Sequence, residues 1–498
     1  MALIQITDLT FTYPGSFDPV FEHVSFQLDT DWRLGLTGRN GRGKTTLLRL
    51  LQGQYPHQGT ITAPGGFEYF PYPIPDAALT PLELLECSFP DVPQWRLRRE
   101  LAPLFVTDDA LYRPFSTLSG GEQAKILLAL LFAREGRYLL IDEPTNHLDE
   151  TGRALVSRYL AKKSGFLLVS HDRAFLDGCV DHILSINRGD IEVQKGNFSS
   201  WYENRQRQDA FELAQNAQLK KEIGRLKQAA RQSRAWADKV ESTKIGPHSA
   251  KVTGEADAMS GRAYIGEQSR RMQQRRKNLE RRQNAAIEEK SALLKNIEQA
   301  APLKLHQLPY HTDRLALLRD VSVCYGGAPV CRGVSFCVEQ GDRIALRGAN
   351  GTGKTSLLRL LCGEDVPHTG TVERSSRLRI SYVRQDPSGL RGDLGAYAAR
   401  YGLDESLFKA ILRKLDFARV QFEKDMADFS AGQKKKVLLA RSLCEPSHLL
   451  VWDEPLNYVD VLSRMQIEDL LLEFQPTIVF VEHDRVFCDH VATKAVML

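Results

Sequence analysis

The chain has 498 residues, of which 26% are charged, and a formal net charge of +4, so it is long enough for two or three domains that each bury a core. No apolar run approaches the ~18 residues of a membrane-spanning helix, and residues 1–10 lack the basic flank and apolar core of a signal peptide. The eight cysteines form no C-x-x-C pair. These features exclude integral membrane proteins and disulfide-rich secreted proteins, and we expect a cytoplasmic protein with reduced thiols and no cysteine metal site.

The first elements along the chain are predicted to be strands. Residues 3–28 alternate apolar and polar side chains around a turn at Pro14 and Gly15, which is typical of half-buried strands. Tyr13 closes the first strand. A ring at this position either stacks on an adenine or fills a half-buried place in the strand, and the pattern leaves both possibilities open.

A glycine-rich loop, GRNGRGKTT, follows the next apolar strand at residues 38–46. Glycines let backbone N–H groups turn toward phosphate oxygens, the lysine reaches the β and γ phosphates, and the hydroxyl after it is suited to ligate Mg²⁺ at the start of a helix. The loop therefore predicts an ATP site that contains Gly38, Asn40, Gly41, Gly43, Lys44, Thr45 and Thr46.

Two further motifs each end an apolar strand. Residues 138–149 read YLLIDEPTNHLD, in which Asp142 is suited to hold Mg²⁺ and Glu143 to orient or deprotonate the attacking water. Residues 166–173 read FLLVSHDR, in which a neutral His171 is placed to bond the γ-phosphate. The plainer alternatives are an acidic pair that caps the next helix and a structural histidine. The strand context and the repeat described below favour catalytic roles.

Residues 203–300 have no counterpart elsewhere in the chain. They hold 21 Lys and Arg against 13 Asp and Glu, so a joint of net charge +8 lies between two bodies that together carry −4. Its halves show helical spacing, with steps of four and three in the first and of seven in the second; these residues are Leu219, Ile223, Leu226, Ala230, Ser233, Ala237 and Val240, and then Met272, Leu279, Ala286 and Leu293.

A run rich in glycine and serine, about residues 241–266, divides those two halves and should end both helices. We therefore predict an antiparallel helical hairpin whose first helix, of roughly 38 residues, carries a tip loop about 55 Å from its base. A solvated spacer is the plainer alternative. Against it, the basic residues are clustered, as in Arg270, Arg271, Arg275, Arg276, Lys277, Arg281 and Arg282.

The second part of the chain repeats the first. Lys354 in GANGTGKTS lies 310 residues after Lys44, and His483 lies 312 residues after His171, so an entire domain recurs. The residues that match the first copy are Tyr325, Gly348, Asn350, Gly351, Gly353, Lys354, Thr355, Ser356, Asp453, Glu454 and His483.

With LSGGE at residues 118–122, these motifs resemble those of ABC-type ATPase domains. The chain also resembles the ABC-F class in its repeat, its missing membrane segment and its charged joint. ABC-F proteins are soluble tandem ATPases that act on ribosomes. The spellings DEPLNYVD and VEHDR in the second copy, with Tyr72 where the first copy would carry a glutamine, resemble the antibiotic-resistance branch, which protects ribosomes from lincosamides, streptogramin A compounds and pleuromutilins.

The resemblance implies an α/β fold with two P-loop ATPase domains, residues 1–202 and 306–498, joined by a basic helical hairpin at 203–305. It also implies that each ATP lies between the phosphate loop of one domain and the signature of the other. Site one would combine the first phosphate loop, Asp142, Glu143 and His171 with Ser430, Gly432 and Gln433. Site two would combine the second loop, Asp453, Glu454 and His483 with Ser119, Gly120 and Gly121.

The resemblance assigns Glu143, Glu454, His171 and His483 to catalysis. It assigns the Mg²⁺ ligands as Thr45, Asp142, Thr355, Gln385 and Asp453. Both sites retain a carboxylate and a histidine, so we expect both to hydrolyse ATP. Gln385 matches the family glutamine and Tyr72 stands in its place in the first copy, so we expect site one to be slower or to respond differently to closure. In the second signature Ala431 replaces a glycine and Lys434 to Lys436 follow, which leaves its rate open.

The implied partner is the 70S ribosome, contacted at 23S rRNA and peptidyl-site tRNA through the basic joint. We expect a monomer with ATP and Mg²⁺ as cofactors and with no membrane or DNA partner. Three alternatives stay open: a housekeeping ABC-F translation factor for stalled ribosomes, the tandem ATPase subunit of an importer, and a DNA-repair or chromosome-structure ATPase. The last would need a far longer coiled coil or zinc cysteines.

Overall fold

A computed structural model describes residues 2–15, 19–146, 148–187, 191–242, 307–325, 328–415, 417 and 419–498. The chain divides into two compact units, Met1–Trp201 with Ala301–Leu498, and Tyr202–Ala300. The first unit contains both copies of the repeat. The predicted domain limits remain predictions.

The first copy alternates strands and helices. Its strands are β1 Leu3–Phe11, β2 Phe21–Asp29, β3 Arg33–Thr37, β4 Gln58–Thr62, β5 Phe67–Phe70, β6 Tyr138–Asp142, β7 Phe166–Val169, β8 His182–Ile186 and β9 Ile191–Lys195. Its helices are α1 Lys44–Leu51, α2 Pro81–Ser88, α3 Gln94–Leu101, α4 Gly120–Ala133, α5 Glu150–Leu160 and α6 Arg173–Cys179, with 3-10 turns at Ala102–Leu104, Asp108–Leu111 and Phe115–Thr117.

Two sheets organise this copy. An antiparallel sheet has the order β2-β1-β4, and a six-stranded sheet has the order β5-β6-β7-β3-β8-β9. The pairs from β5 to β8 are parallel, and β9 is antiparallel to β8. Every residue of β7 is buried, as expected for a parallel strand covered on both faces.

The described part of the joint is one helix, α7 Phe198–Ser242, of 45 residues, which is about 68 Å long at ~1.5 Å per residue. It begins five residues before the predicted start, and its first turn is anchored by the buried side chains of Phe198 and Trp201. Ile223 of the predicted apolar stripe is also buried. The predicted tip loop beyond Ser242, the second helix and the arginine cluster lie outside the described residues.

The second copy repeats the order of the first. Its strands are β10 Arg314–Tyr325, β11 Ala328–Glu339, β12 Arg343–Arg347, β13 His368–Arg374, β14 Ile380–Val383, β15 Leu449–Asp453, β16 Ile478–Val481 and β17 Lys494–Met497. Its helices are α8 Lys354–Cys362, α9 Leu394–Arg400, α10 Glu405–Lys414, α11 Ala431–Cys444, α12 Val461–Phe474 and α13 Arg485–Val491, with 3-10 turns at Arg419–Glu423 and Met426–Asp428.

The sheets of the second copy match those of the first. An antiparallel sheet has the order β11-β10-β13, and a parallel sheet has the order β14-β15-β16-β12-β17. In both copies the strand before the phosphate loop lies between the strand before the histidine and a strand that follows it. Among the described helices, none is long and apolar enough to cross a membrane.

Candidate active site

The predicted chemistry collects at the carboxyl ends of the parallel strands. Asp142 at the end of β6 pairs with Val169 at the end of β7, and β7 pairs with β3. The phosphate loop, the acidic pair and the histidine therefore meet at the sheet edge where parallel sheets bind ligands. In the second copy Asp453 pairs with Val481 in the same way, beside β12.

Each phosphate loop ends in a left-handed glycine followed by the lysine that begins a helix. Gly43 has a φ of 91° and Gly353 a φ of 83°, a region that only glycine adopts freely. Lys44 Nζ donates to the carbonyl of the first glycine of its loop at 2.6 Å, and Lys354 Nζ makes the same bond at 2.8 Å. Burial lowers the pKa of both ammonium groups, which are held inside their loops where phosphate oxygens would bind.

The two predicted adenine-stacking tyrosines are tethered to the helices after the loops. Tyr13 OH lies 2.7 Å from Thr46 Oγ1, and Tyr325 OH lies 3.0 Å from Ser356 Oγ. Tyr13 and Tyr325 are 38% and 43% exposed, so part of each residue is accessible to a ligand. The prediction that Tyr13 closes the first strand is wrong by two residues, because β1 ends at Phe11 before the turn at Pro14.

We expect Tyr325→Ala to weaken ATP binding at site two by about 1–2 kcal/mol, roughly tenfold, because it removes a stacking platform. Tyr325→Phe is the matched control, which keeps the ring and loses only the bond to Ser356. Titration with a fluorescent ATP analogue measures both. Equal affinities of the two variants would show that the ring does not stack on the base.

Asp142 is held within site one by two hydroxyl groups. Its Oδ2 accepts from Tyr69 OH at 2.9 Å and from Thr45 Oγ1 at 3.5 Å. Burial raises the pKa of this carboxyl. The carboxylate thus already contacts the threonine that is predicted to share Mg²⁺ with it.

Glu143 and His171 are also brought together in site one. His171 Nε2 lies 3.2 Å from Glu143 Oε1. Burial, and then the charge of Asp142, raise the pKa of Glu143 to about 8. Burial and the charge of Lys44 lower the pKa of His171 well below its ordinary value. At neutral pH and without ATP, the predicted base of site one is therefore mostly protonated and its histidine is neutral.

Asp453 occupies the same position in site two but has different neighbours. It is fully buried, and neither carboxylate oxygen has a hydrogen-bond partner among the described residues. Burial raises the pKa of this carboxyl to about 6, and Thr355 is the first group that opposes the shift. A buried carboxylate without a donor is suited to a cation.

Glu454 in site two is surrounded by donors. Its Oε2 accepts from Gln385 Nε2 at 2.8 Å and from Asn457 Nδ2 at 2.5 Å, and its Oε1 lies 3.4 Å from His483 Nε2. Burial alone would raise the pKa of Glu454, but the bonds from His483 and Gln385 lower it to about 2. The predicted base of site two is therefore ionised, in contrast to Glu143.

Both signature serines cap the helices that follow them. Ser119 caps α4 in a reciprocal box with Glu122, and Ser430 caps α11 in the same box with Gln433. A capped helix start directs its free N–H groups and positive dipole end toward an anion. This is the role that the resemblance gives to the signature.

Site two is a cavity of about 1030 Å³ between the two copies, large enough for a nucleotide. The first copy contributes Ser119, Gly120 and Gly121 to its wall. The second copy contributes Asn350, Gly351, Gly353, Lys354, Thr355, Ser356, Gln385, Glu454 and His483. The structure therefore brings together most of the predicted members of site two from both copies, whereas Tyr325, Gly348 and Asp453 are not among the residues that line this cavity.

Site one is also shared, and its two sides touch. Asn40 Nδ2 of the first phosphate loop donates to the carbonyl of Tyr458 of the second copy at 2.9 Å. A Cβ on Gly432 would lie 2.4 Å from that carbonyl oxygen and 3.2 Å from Asn40 Nδ2. The second signature thus faces the first phosphate loop, and the Tyr458 carbonyl of its own copy leaves room only for glycine at position 432.

Known proteins resemble the chain across both copies and the joint. A family model described as "ABC transporter" matches residues 21–68 and 331–457. Ribosome protection protein VmlR of Bacillus subtilis is 26% identical over 503 residues, covering 99% of this chain and 87% of VmlR. ATP-binding protein Uup of Caulobacter vibrioides is 29% identical over 497 residues, covering 96% of this chain and 75% of Uup. These matches bear out the predicted resemblance to ABC-F tandem ATPases along nearly the whole chain.

Solved structures confirm the predicted fold class. Archaeal ribosome recycling factor aABCE1, in complex with archaeal ribosomal stalk protein aP1, has a TM-score of 0.63 at 17% identity and covers 98% of this chain and 87% of its own. A structure titled "RNase-L Inhibitor" has a TM-score of 0.62 at 18% identity, covering 99% and 87%. At these identities the likeness shows the α/β tandem ATPase fold alone.

Sequence reasoning missed three members of the two sites. Asn457 bonds the predicted base of site two, Tyr69 bonds the predicted Mg²⁺ ligand of site one, and Tyr458 bridges the copies through its carbonyl. Asn457 and Tyr69 could have been found, because Asn146 and Tyr382 stand at the same places of the other copy. Tyr458 acts through a backbone atom, which leaves no signal in a motif.

Proposed function

We propose that this ABC-F ATPase binds the bacterial 70S ribosome in its ATP-bound state and protects it from antibiotics that act at the peptidyl transferase centre. The drug classes would be lincosamides, streptogramin A compounds and pleuromutilins. The observation that carries the proposal is the match to a ribosome protection protein over 99% of the chain, joint included. The composite sites, which require both copies for each ATP, supply the driving cycle.

The residues of site two support a cycle of closure and release. Lys354 and the N-terminus of α4 would bind the same phosphates from opposite sides, so that ATP joins the copies. Glu454, which is already ionised, would take a proton from the attacking water, while Gln385 and His483 hold the Glu454 carboxylate in position. Loss of the γ-phosphate contacts would then let the copies part.

Mg²⁺ fits the residues of site two. Neither carboxylate oxygen of Asp453 has a partner of full hydrogen-bond geometry among the described residues, although the Thr355 hydroxyl is close enough to lower its pKa. Asp453, Thr355 and Gln385 together offer oxygen ligands of the kind that Mg²⁺ prefers. In site one, Thr45 and Asp142 would do the same. The ion would neutralise charge that develops on the transferred phosphoryl group.

The joint is the part proposed to act on the ribosome. Its net charge of +8 suits 23S rRNA and the peptidyl-site tRNA, because phosphate contacts give salt-dependent affinity without sequence readout. Helix α7, about 68 Å long, would carry the predicted tip loop to the peptidyl transferase centre. We infer that the identity of that loop, residues 241–266, determines the drug spectrum, and that the protein acts as a monomer without DNA or membrane partners.

A housekeeping role in relieving stalled ribosomes without a drug is the second candidate. It is favoured by the relatives whose names carry no protective role, since Uup, at 29% identity, is as similar to this chain as VmlR is at 26%. The two roles share the ATPase cycle and the ribosomal partner. They differ only in whether a drug is needed for the effect.

The proposal predicts ATP-dependent binding of the Glu143→Gln, Glu454→Gln double variant to 70S ribosomes. These changes should keep ATP binding and block hydrolysis, so the closed state accumulates. Co-sedimentation through sucrose with and without ATP measures it, and adding Lys44→Ala and Lys354→Ala supplies the matched control that cannot hold ATP. Binding should weaken steeply between about 50 and 200 mM salt.

A folded double variant that binds ATP and never sediments with ribosomes would contradict both candidate functions. If it does sediment, cell-free translation separates them. Recovery of translation in the presence of a lincosamide, a streptogramin A compound or a pleuromutilin supports protection. Recovery of stalled, drug-free ribosomes alone supports the housekeeping role.

A further inference from the structure

The three lysines after the second signature include one that is fully buried at the edge of site two. Lys435 has no exposed side-chain surface. Its ammonium donates to the carbonyls of Arg384 at 2.8 Å, Gln385 at 3.0 Å and Asp453 at 3.3 Å. An ammonium has three protons and no acceptor capacity, so these three bonds use all of its donors.

The three carbonyls belong to the two segments that carry the chemistry of site two. Arg384 and Gln385 directly follow β14, and Asp453 is the last residue of β15. One residue beyond Asp453 lies Glu454, whose Oε2 accepts from Gln385 Nε2 at 2.8 Å. Lys435 thus joins the backbone of Gln385 to the backbone of Asp453, the residue before Glu454.

The first copy lacks both parts of this arrangement. Ala124 stands in place of Lys435, and Tyr72 stands in place of Gln385. The Tyr72 ring packs against Phe89 with ring centroids 5.0 Å apart. Lys435 and Gln385 therefore occur together in the second copy and are both replaced in the first. This is expected if the role of Lys435 is to position Gln385.

A buried ammonium is an expensive way to fill this space. The charge is tolerated here because Glu482, Asp453, Glu454 and Asp386 lie around it. An apolar side chain would leave three backbone carbonyls without this donor. The first copy has Ala124 at the same place, so the fold of a copy does not by itself require a lysine there.

We propose that Lys435 is a positioning residue for ATP hydrolysis at site two, which holds the glutamine loop on the end of β15 so that the Gln385 amide stays on Glu454. It touches neither nucleotide nor water itself. Its effect passes through Gln385, whose place relative to the base it fixes. Displacement of a catalytic group by about 1 Å is enough to slow a reaction by up to about 100-fold.

The test is a double-mutant cycle on the full chain. Lys435→Met should lower the kcat of ATP hydrolysis at site two by about 10- to 100-fold and leave the affinity for a fluorescent ATP analogue within about twofold, because uniform binding is unchanged. Gln385→Ala should lower kcat at site two at least as much. The double variant should be no slower than Gln385→Ala, because both changes remove the same contact between Gln385 and Glu454.

Lys434→Met is the matched control, since the Lys434 ammonium donates to the Ala427 carbonyl at 3.0 Å and lies outside this contact; its kcat should equal that of the wild type. If Lys435→Met does not fold, Lys435→Gln takes its place in the same cycle. Three outcomes would overturn the proposal: full kcat in a folded Lys435 variant, a loss of ATP affinity as large as the loss of rate, or losses that multiply in the double variant.

Discussion

Glu454→Gln should reduce ATP hydrolysis at site two by about 100-fold or more, the contribution expected of a general base. The total rate at pH 7 should then fall by about tenfold to the rate of site one, whose base is ionised to about one tenth, whereas Glu143→Gln should have a much smaller effect. The reason is the environment of each carboxyl. Donors from Gln385, Asn457 and His483 hold the pKa of Glu454 at about 2. Burial beside Asp142 raises the pKa of Glu143 to about 8, so most of that base is protonated at pH 7.

The pH dependence gives the sharper readout of the same prediction. The ionised carboxylate is the active form, so site one gains activity as pH rises through the pKa of Glu143. A carboxyl with a pKa of about 8 is ionised to about one tenth at pH 7 and about nine tenths at pH 9. The residual ATPase rate of Glu454→Gln should therefore rise several-fold over that range, and the rate of Glu143→Gln should not. Equal losses in the two variants, with flat profiles, would contradict the asymmetry.

Lys436→Met should destabilise the protein by about 3 kcal/mol or more, the usual cost of leaving one buried charge without its partner. Lys436 Nζ lies 2.9 Å from Asp460 Oδ2, and the two side chains are 3% and 0% exposed. Asp460 also caps α12 through the Ser463 amide at 2.9 Å. Thermal unfolding measures the loss, with Lys434→Met as the control of the same chemistry two residues earlier in α11, where the lysine bonds the Ala427 carbonyl instead.

The Asp460 carboxyl determines how the stability contributed by this ion pair depends on pH. Burial alone would raise the pKa of Asp460, but Lys436 and then Lys44 lower it below its ordinary value. In the wild type this contribution is present above a pKa of about 3.9 in the unfolded chain and is lost only in strong acid. Without Lys436 the buried carboxylate is relieved by protonation, so the difference in stability from the wild type should shrink between pH 7 and pH 5.

A second substitution separates charge from helix capping. Adding Asp460→Asn to Lys436→Met removes the unpaired charge and keeps a side chain that can cap α12. We expect the double variant to recover part of the lost stability. A double variant less stable than Lys436→Met would show that the cap, and not the ion pair, sets the cost.

The sequence by itself determined which chemistry the protein carries. The phosphate loops and acidic motifs need fixed residue types at fixed spacing within one strand–loop–helix segment, so each can be recognised locally. Their repetition 310 to 312 residues apart predicted two such domains, and the helical spacing after residue 203 predicted α7. These features depend on contacts between near neighbours in the chain, which a pattern records directly.

Only the tertiary structure decided how the two sites differ. Whether Glu143 and Glu454 are protonated depends on desolvation and on donors such as Gln385, which lies 69 residues from Glu454. The sequence likewise showed three adjacent lysines. It did not distinguish Lys435, whose buried ammonium bonds three carbonyls, from Lys436, which forms an ion pair. A charge is set by the groups that surround it in space, and those groups come from segments whose separation along the chain no local pattern encodes.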